Sequence, residues 1–382
     1  MKTHEFDDIR PYYDEEIPAA IERLLADPEF KRVIMEYVFP GGDWEQFASV
    51  MKQIKNSRDF QSILAHGAVH KFVGRSSNSI EAGGINNLKQ NTAYTYISNH
   101  RDIVLDAAIL AVVLSDNGFE TMEIAIGDNL LLAPWIMDIV RINKSFIVKR
   151  GVSFREQLLA STHLSKYIHY TISEKHGSIW IAQREGRAKD SDDRTQESLL
   201  KMLAMGSDKP TYDSIRELNL MPVSLSYEYD PCDYLKAKEL QQRRENPEFK
   251  KSQRDDLLNM ETGLFGYKGR IHFHFARPIN DILNESYRSL PKNELIHEVA
   301  NMVDCEIFLN YRFYPINYLF YDRLTGENRF THCYTDDDVK NLDAYLQQQL
   351  DKIDLPNKDV PFLREIIYTM YANPLKNYLS VK

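Results

Sequence analysis

Asn99, His100, Arg101, Asp102 and Asp106 are the residues of this chain best suited by type and spacing to do chemistry. A carboxylate close to a histidine can hold one imidazole nitrogen while the other removes a proton from a hydroxyl. The stretch that carries them, Tyr94 to Leu114, opens with alternating β-formers (Tyr94, Tyr96, Ser98) and breaks at the polar residues 99–101. It then continues as an apolar helical run interrupted by Asp106. The pattern predicts a strand, a turn at its open end and a helix, and such strand ends are where α/β proteins gather reactive groups. His100-Arg101-Asp102 also imitates the catalytic loop of protein kinases, HRDLxxxxN. Ala107 stands where the asparagine belongs, however, and the DFG, VAIK and glycine-rich motifs are missing. The phosphate loops GxxxxGK[ST] and GxGxxG and the GxSxG elbow of serine hydrolases are absent as well.

Three more clusters fall at the ends of later strand-like runs. Phe146-Ile147-Val148 delivers Lys149 and Arg150. Trp180-Ile181-Ala182 leads into Gln183-Arg184-Glu185-Gly186-Arg187-Ala188-Lys189, and Met221-Pro222-Val223-Ser224-Leu225-Ser226 leads into Tyr227-Glu228. Each alone reads as a strand terminus with solvated charges. In a parallel sheet the C-terminal ends converge on one edge, so a base and several cations would share one crevice. Such a crevice suits attack by a substrate hydroxyl on an activated acyl group, with arginines holding a phosphate by charge-assisted bonds. No cofactor and no metal is required. His66 and His70, four apart, and His272 and His274, two apart, have metal-like spacing, but the first pair lacks the HExxH glutamate and both read as ordinary polar positions.

The elements that would position these groups alternate along the chain. Strands are expected at Tyr94–Ser98, Glu120–Ile126, Ser145–Val148, Ser178–Ala182, Leu220–Ser226 and Arg270–Phe275. Helices are expected at Ile103–Leu114, Leu130–Ile139 and Ser153–Lys175, the last opening on the capping-box spacing Ser153 to Glu156. Strand, helix, strand repetition implies an α/β fold with a mostly parallel sheet covered by helices. Before it, residues 1–73 read as helical, and Gly74 to Asn87, rich in Ser, Gly and Asn, reads as a linker. Asp233 to Asn259 is so highly charged that it reads as a solvated helical excursion, with a surface for anionic lipid as the alternative. Residues 291–382 read as a helical C-terminal region in which Thr335 caps a helix, and the aromatics of Tyr311 to Arg323 are expected in a core.

Forty-seven basic against 56 acidic side chains give a formal charge of −9, which argues against general nucleic-acid binding, so an anionic ligand must meet a local cluster. Cys232, Cys305 and Cys333 form no CxxC pair, which suits a reducing, cytoplasmic setting. The first residues do not read as a secretory signal, and the longest apolar runs, interrupted by Asp106 and Asp138, fall short of a spanning helix. If membrane matters, the protein lies against its surface.

Taken in order, the four clusters resemble the glycerolipid acyltransferases, which acylate glycerol-3-phosphate and 1-acylglycerol-3-phosphate from acyl-CoA or acyl-carrier protein. The family block NHxxxxD resembles Asn99, His100 and Asp106, and FIxxR resembles Phe146, Ile147 and Arg150. An apolar strand leading into EGxR resembles Ile181 to Lys189 with Glu185, Gly186 and Arg187, and VPVxxxYE resembles Pro222 to Glu228. The likeness covers about Tyr94 to Phe275, and it implies an acyltransferase domain at 74–290 between the two helical additions. It implies His100 as general base, Asp106 as its orienting partner, and Arg150 and Arg187, with Lys149 and Lys189 beside them, as phosphate binders. Asn99, Glu185 and Gly186 would shape the pocket, and Pro222 would fix the turn of the fourth strand beside the acyl tunnel. The segment Leu130 to Ile142 falls where the family places apolar surface for acyl chain or bilayer. The implied partners are an acyl thioester donor, lysophosphatidate or glycerol-3-phosphate, and a membrane surface touched peripherally.

Two departures stand out. Five residues rather than four separate His100 from Asp106, and Arg187 follows Gly186 directly. Six helical steps of ~100° cannot bring two residues to one face. His100 must then sit off the helix, leaving either Asp106, one turn inside, or Asp102, at the N-cap, as the orienting carboxylate. Two other readings use the same residues: an acyl-thioester or lipid hydrolase that admits water, and a non-catalytic acyl- or lipid-binding protein.

Overall fold

The computed structural model describes residues 4–150 and 154–382. Seven strands form one sheet in the order β1-β7-β6-β2-β5-β3-β4. They are β1 Ser77–Gly83, β2 Thr95–Ser98, β3 Glu123–Gly127, β4 Ser145–Val148, β5 Ile179–Ala182, β6 Leu220–Tyr227 and β7 Gly269–Phe275. β6, β2, β5, β3 and β4 run parallel, β7 is antiparallel to β6, and β1 follows β7. This is the mostly parallel α/β sheet expected from the alternation of patterns.

Five helices precede or flank the first strand: α1 Ile17–Ala26, α2 Pro28–Val33, α3 Trp44–Met51, α4 Ser57–Asp59 and α5 His66–Ser76. The crossovers are α6 Leu105–Asp116 from β2 to β3, α7 Pro134–Ile142 from β3 to β4, and α8 Phe154–Ser173 from β4 to β5. Next come α9 Glu197–Leu203 and α10 Thr211–Glu217 before β6, then α11 Asp233–Glu245 and α12 Gln253–Phe265 before β7. The chain ends in α13 Lys292–Leu309, α14 Pro315–Thr325, α15 Asp336–Asp351 and α16 Val360–Val381. Thr335 caps α15 in a capping box with Asp338, as its spacing predicts. Ser153, expected to cap α8, lies outside the described residues.

Every residue of β2 and β6 is buried, as a sheet covered on both faces requires. Alternate side chains feed two cores. Tyr94, Tyr96, Met221, Val223 and Leu225 join α6 on one face. On the other, Ile97, Phe146 and Leu220 join α8 and α13. The aromatic run near Tyr311 is core, with Tyr314, Ile316 and Phe320 buried among the C-terminal helices.

Three stretches differ from expectation. Gly74 to Asn87 is not a linker: α5 runs to Ser76 and β1 pairs along β7 from Ser77. Its polar side chains suit an edge strand, which presents little to a core. Asp233 to Asn259 is a solvated excursion only in its second half: Asp233, Lys236, Ala237, Glu239 and Gln241 are buried, whereas residues 243–248 and most of 250–258 are exposed. Two charges of the first half are matched inside the protein, Lys236 by Asp230 and Glu239 by Lys189 and Lys251, so there charge density did not mean solvent. The segment Leu130 to Ile142 is half covered: Trp135, Ile139 and Ile142 pack among the N-terminal helices and Tyr12 and Arg23 bind Asp138, while most of its residues keep partial exposure.

Candidate functional site

The parallel register sets Ser98, Ala182 and Val223 side by side, so the segments following β2 and β5 leave the sheet at one edge. β6 runs four residues further, to Tyr227. Asn99 continues β2 with its side chain: its Oδ1 accepts from the Leu225 amide at 2.8 Å and its Nδ2 donates to the Leu225 carbonyl at 2.9 Å. Thus Asn99 satisfies backbone groups of β6 where β2 has ended.

The turn that follows is built on Asp106, which is fully buried. Its Oδ2 accepts from His100 Nδ1 at 2.8 Å, from the Arg101 amide at 2.6 Å and from the Asp102 amide at 3.0 Å. Tyr227 donates its hydroxyl to Oδ1 at 2.8 Å. Four donors hold the carboxylate, and this acceptor gives His100 the tautomer with a proton on Nδ1 and a lone pair on Nε2. The Trp180 ring stands edge-on to the imidazole, 5.6 Å between centroids.

Asp102 faces elsewhere. Its Oδ1 accepts from the Val104 and Leu105 amides at 2.9 and 2.7 Å, satisfying the first turn of α6. Its Oδ2 lies against α12, where a Cβ placed on Gly263 would come within 2.0 Å. Burial, with the charge of Asp106 adding to it, pushes the Asp102 carboxyl upward. Arg101 anchors the same turn by a buried two-pronged bond to Asp193, 2.8 and 2.5 Å, and Tyr311 donates to Asp193 at 2.6 Å.

The cations fall into two groups. Arg150 lies over Gly127 and approaches Glu185 at 3.9 Å, so the ends of β4 and β5 meet there. Gly186 has φ +67°, the left-handed conformation that lets the chain turn back between Glu185 and Arg187. Arg187 is buried. One Nη donates to Asn259 of α12 at 2.8 Å, and Nη1 is buried without a hydrogen-bond partner. Arg187, Lys189, Arg184, Arg194 and Arg243 line a cavity of about 380 Å³ together with Asp190, Asp192 and Glu239. Burial, and then the charge of Arg187, pull the Lys189 ammonium down to about 7 although Glu239 sits 3.0 Å away.

Of the residues singled out in the sequence, the fold joins His100 to Asp106, Arg150 to Glu185, and Arg187 to Lys189. Lys149 is not joined to them: it leaves the opposite side of the strand and pairs with Asp8 at 2.7 Å. His100 is not among the lining of the 380 Å³ cavity; the turn at Asp102, whose charge acts on Arg187, lies between the two. Pro222 sits in β6 beside Ile97, and its carbonyl accepts from the Ala276 amide at 2.9 Å where β7 ends. Sequence reasoning gave no role to Tyr227, Trp180 or Asn259. Tyr227 stood in the fourth cluster and could have been taken from there. Asn259 carried no signal, because its importance lies in a contact made across 72 residues.

The family model described as Acyltransferase matches residues 79–206. The match takes in His100, Asp106, Arg150, Arg187 and Lys189 and stops before Pro222. The crystal structure of the 1-acyl-sn-glycerophosphate (LPA) acyltransferase PlsC from Thermotoga maritima is similar at TM-score 0.38 and 11% identity, covering 75% of this chain and 93% of that one. No curated protein matches the chain.

Proposed function

We propose that this chain, whose residues 79–206 match the family model described as Acyltransferase, moves a fatty acyl group from an acyl thioester to a hydroxyl of a glycerophosphate-type acceptor, with His100 as general base. The observation that carries this reading is the His100 Nδ1 to Asp106 contact of 2.8 Å inside a four-donor cradle. A base so held offers Nε2 to a substrate without having to be reoriented.

In this mechanism Nε2 takes the hydroxyl proton as the oxygen attacks the thioester carbon. Asp106 stabilises the imidazolium that forms. The tetrahedral intermediate collapses with cleavage of the C–S bond, and the imidazolium returns its proton to the departing sulfur, giving ester and thiol. Base catalysis of this kind contributes about 10²- to 10⁴-fold. Arg150 and the cations around Arg187 and Lys189 would hold the acceptor phosphate, and fixing the phosphate brings the hydroxyl to the base. Lys149, engaged with Asp8, would serve at most the rim. The chemistry draws on no cofactor or metal.

Among the described residues no helix is long and apolar enough to cross a membrane. Leu257, Leu258 and Phe265 on α12 and Leu158 and Leu159 on α8 are nevertheless exposed. These apolar patches support peripheral contact with a bilayer, on the cytoplasmic face, through which lysophosphatidate would arrive. The test is to incubate the purified protein with acyl-CoA or acyl-carrier protein thioester and either lysophosphatidate or glycerol-3-phosphate, and to identify the lipid product by mass spectrometry. The reading expects an acylated acceptor that His100→Ala abolishes. Undiminished turnover in His100→Ala would refute the mechanism, and thioester loss without any acceptor would favour a hydrolase.

A further inference from the structure

We propose that His66, His70 and Asp116 form a binding site for a divalent transition-metal ion of the zinc type, clamping α5 to the C-terminal end of α6. It is independent of the acyltransferase reading. His66 and His70 are four residues apart on α5 and therefore share a face. Their ring centroids are 4.4 Å apart. Asp116, the last residue of α6, reaches both: its Oδ1 is 2.7 Å from His66 Nε2 and its Oδ2 is 3.5 Å from His70 Nε2. One ligand atom from each of the three lies within 4.8 Å of the others.

Hydrogen bonding accounts for only part of this arrangement. A neutral imidazole at His66 satisfies one carboxylate oxygen, while the 3.5 Å contact leaves His70 without a good bond. Charging both rings would set two cations side by side, 4.4 Å between ring centroids. A metal ion uses the lone pair of each imidazole and a carboxylate oxygen together. Bonds of ~2.0–2.2 Å to a tetrahedral ion separate neighbouring ligand atoms by roughly 3.4 Å, so the group closes on an ion through movements of under about 1 Å. Two imidazoles and one carboxylate favour zinc, cobalt or nickel over magnesium or calcium. The carbonyl end of α6 adds a negative potential beside the site. The side chains are 35%, 46% and 46% exposed, which leaves an ion free to enter and a water free to complete its shell.

The site is remote from the candidate base. Asp106 occupies the first turn of α6 and Asp116 its end, ten residues or ~15 Å along the axis. Its role is therefore structural: it fastens α5, which leads directly into edge strand β1, to the helix whose other end carries Asp106.

The experiment uses full-length, tag-free protein stripped of metal, titrated with Zn²⁺ by calorimetry and with Co²⁺ by visible absorption. One ion per chain should bind, with Co²⁺ showing the intense bands of a four-coordinate site, and Zn²⁺ should raise the melting temperature. Asp116→Asn, which keeps the side chain's shape, and His70→Ala should each weaken binding at least about tenfold, the lower end of what even a supporting partner contributes, and remove the thermal shift. His272→Ala, in the other histidine pair, should leave both unchanged. The proposal is overturned by the absence of saturable binding, by binding indifferent to His70→Ala and Asp116→Asn, or by binding that His272→Ala removes.

Discussion

Asp106 and Asp102 sit four residues apart beside one histidine, and their amide variants should behave in opposite ways. In Asp106→Asn the Oδ2 position receives three N–H donors, from His100, Arg101 and Asp102, so only the amide oxygen fits there. The amide nitrogen must then occupy the Oδ1 position, where the Tyr227 hydroxyl can turn and accept. The imidazole keeps its tautomer and orientation and loses only the negative charge that stabilises its protonated form. Unit charges ~4 Å apart interact by about 4 kcal/mol at an effective dielectric of ~20, which bounds the loss near 10³-fold. We expect kcat to fall roughly 10²- to 10³-fold, with kcat/KM falling in parallel. Asp102→Asn keeps an oxygen for the Val104 and Leu105 amides and touches neither ring nitrogen, so kcat should stay within a few fold. Its effect is on stability. The folded pKa of Asp102 lies above its unfolded value, so the stability it contributes is present below the unfolded value and is lost as pH rises through the folded one. An amide escapes that loss, and Asp102→Asn should melt at or above the wild type near pH 8, with the advantage shrinking toward pH ~4. Steady-state acyl transfer and melts across pH check both. A collapse of kcat in Asp102→Asn with retention in Asp106→Asn would falsify the assignment of the orienting carboxylate.

Three further outcomes follow from the same geometry. A Cβ at Gly127 would lie 2.9 Å from Arg150 Nε and 2.5 Å from Asn129 Oδ1, so Gly127→Ala should displace Arg150 and raise acceptor KM up to about tenfold with little change in kcat; an unchanged KM removes Arg150 from acceptor binding. Tyr227→Phe strips one donor from a buried carboxylate, a loss of about 1.5–3 kcal/mol that chemical denaturation should register, and an unaltered denaturation midpoint would mean that Asp106 does not depend on it. Because the Lys189 ammonium sits at about 7, the cavity loses a positive charge as pH rises through neutrality. Acceptor KM should climb between pH ~6 and ~8, and Lys189→Gln should flatten that rise; a slope identical in the variant assigns it to another group.

The sequence determined a good deal of this protein by itself. Six of the seven strands lie within three residues of their expected positions, because buried strands such as Leu220–Tyr227 declare themselves through a largely apolar run, broken there only by Ser224 and Ser226. The strand ends carrying His100, Arg150 and Arg187 were legible for the same reason, and parallel topology alone predicts their shared edge. β1 escaped notice because an edge strand reading Ser-Asn-Ser-Ile-Glu-Ala-Gly, with Ile80 its one large apolar residue, lacks that signal. Tertiary structure alone decided where charges find partners. Lys149 and Arg150 are adjacent in sequence, yet one pairs with Asp8 and the other approaches Glu185. Lys236 and Glu239 of α11 are buried because Asp230, Lys189 and Lys251 meet them, while Arg243 and Arg244 on the same helix stay exposed. Asp106 holds His100 while Asp102, nearer in the chain, faces α12. Local pattern reports the periodicity of burial; the partner of a charge is chosen by the fold, across 141 residues for Lys149 and Asp8 and across six for His100 and Asp106, and periodicity does not encode that choice.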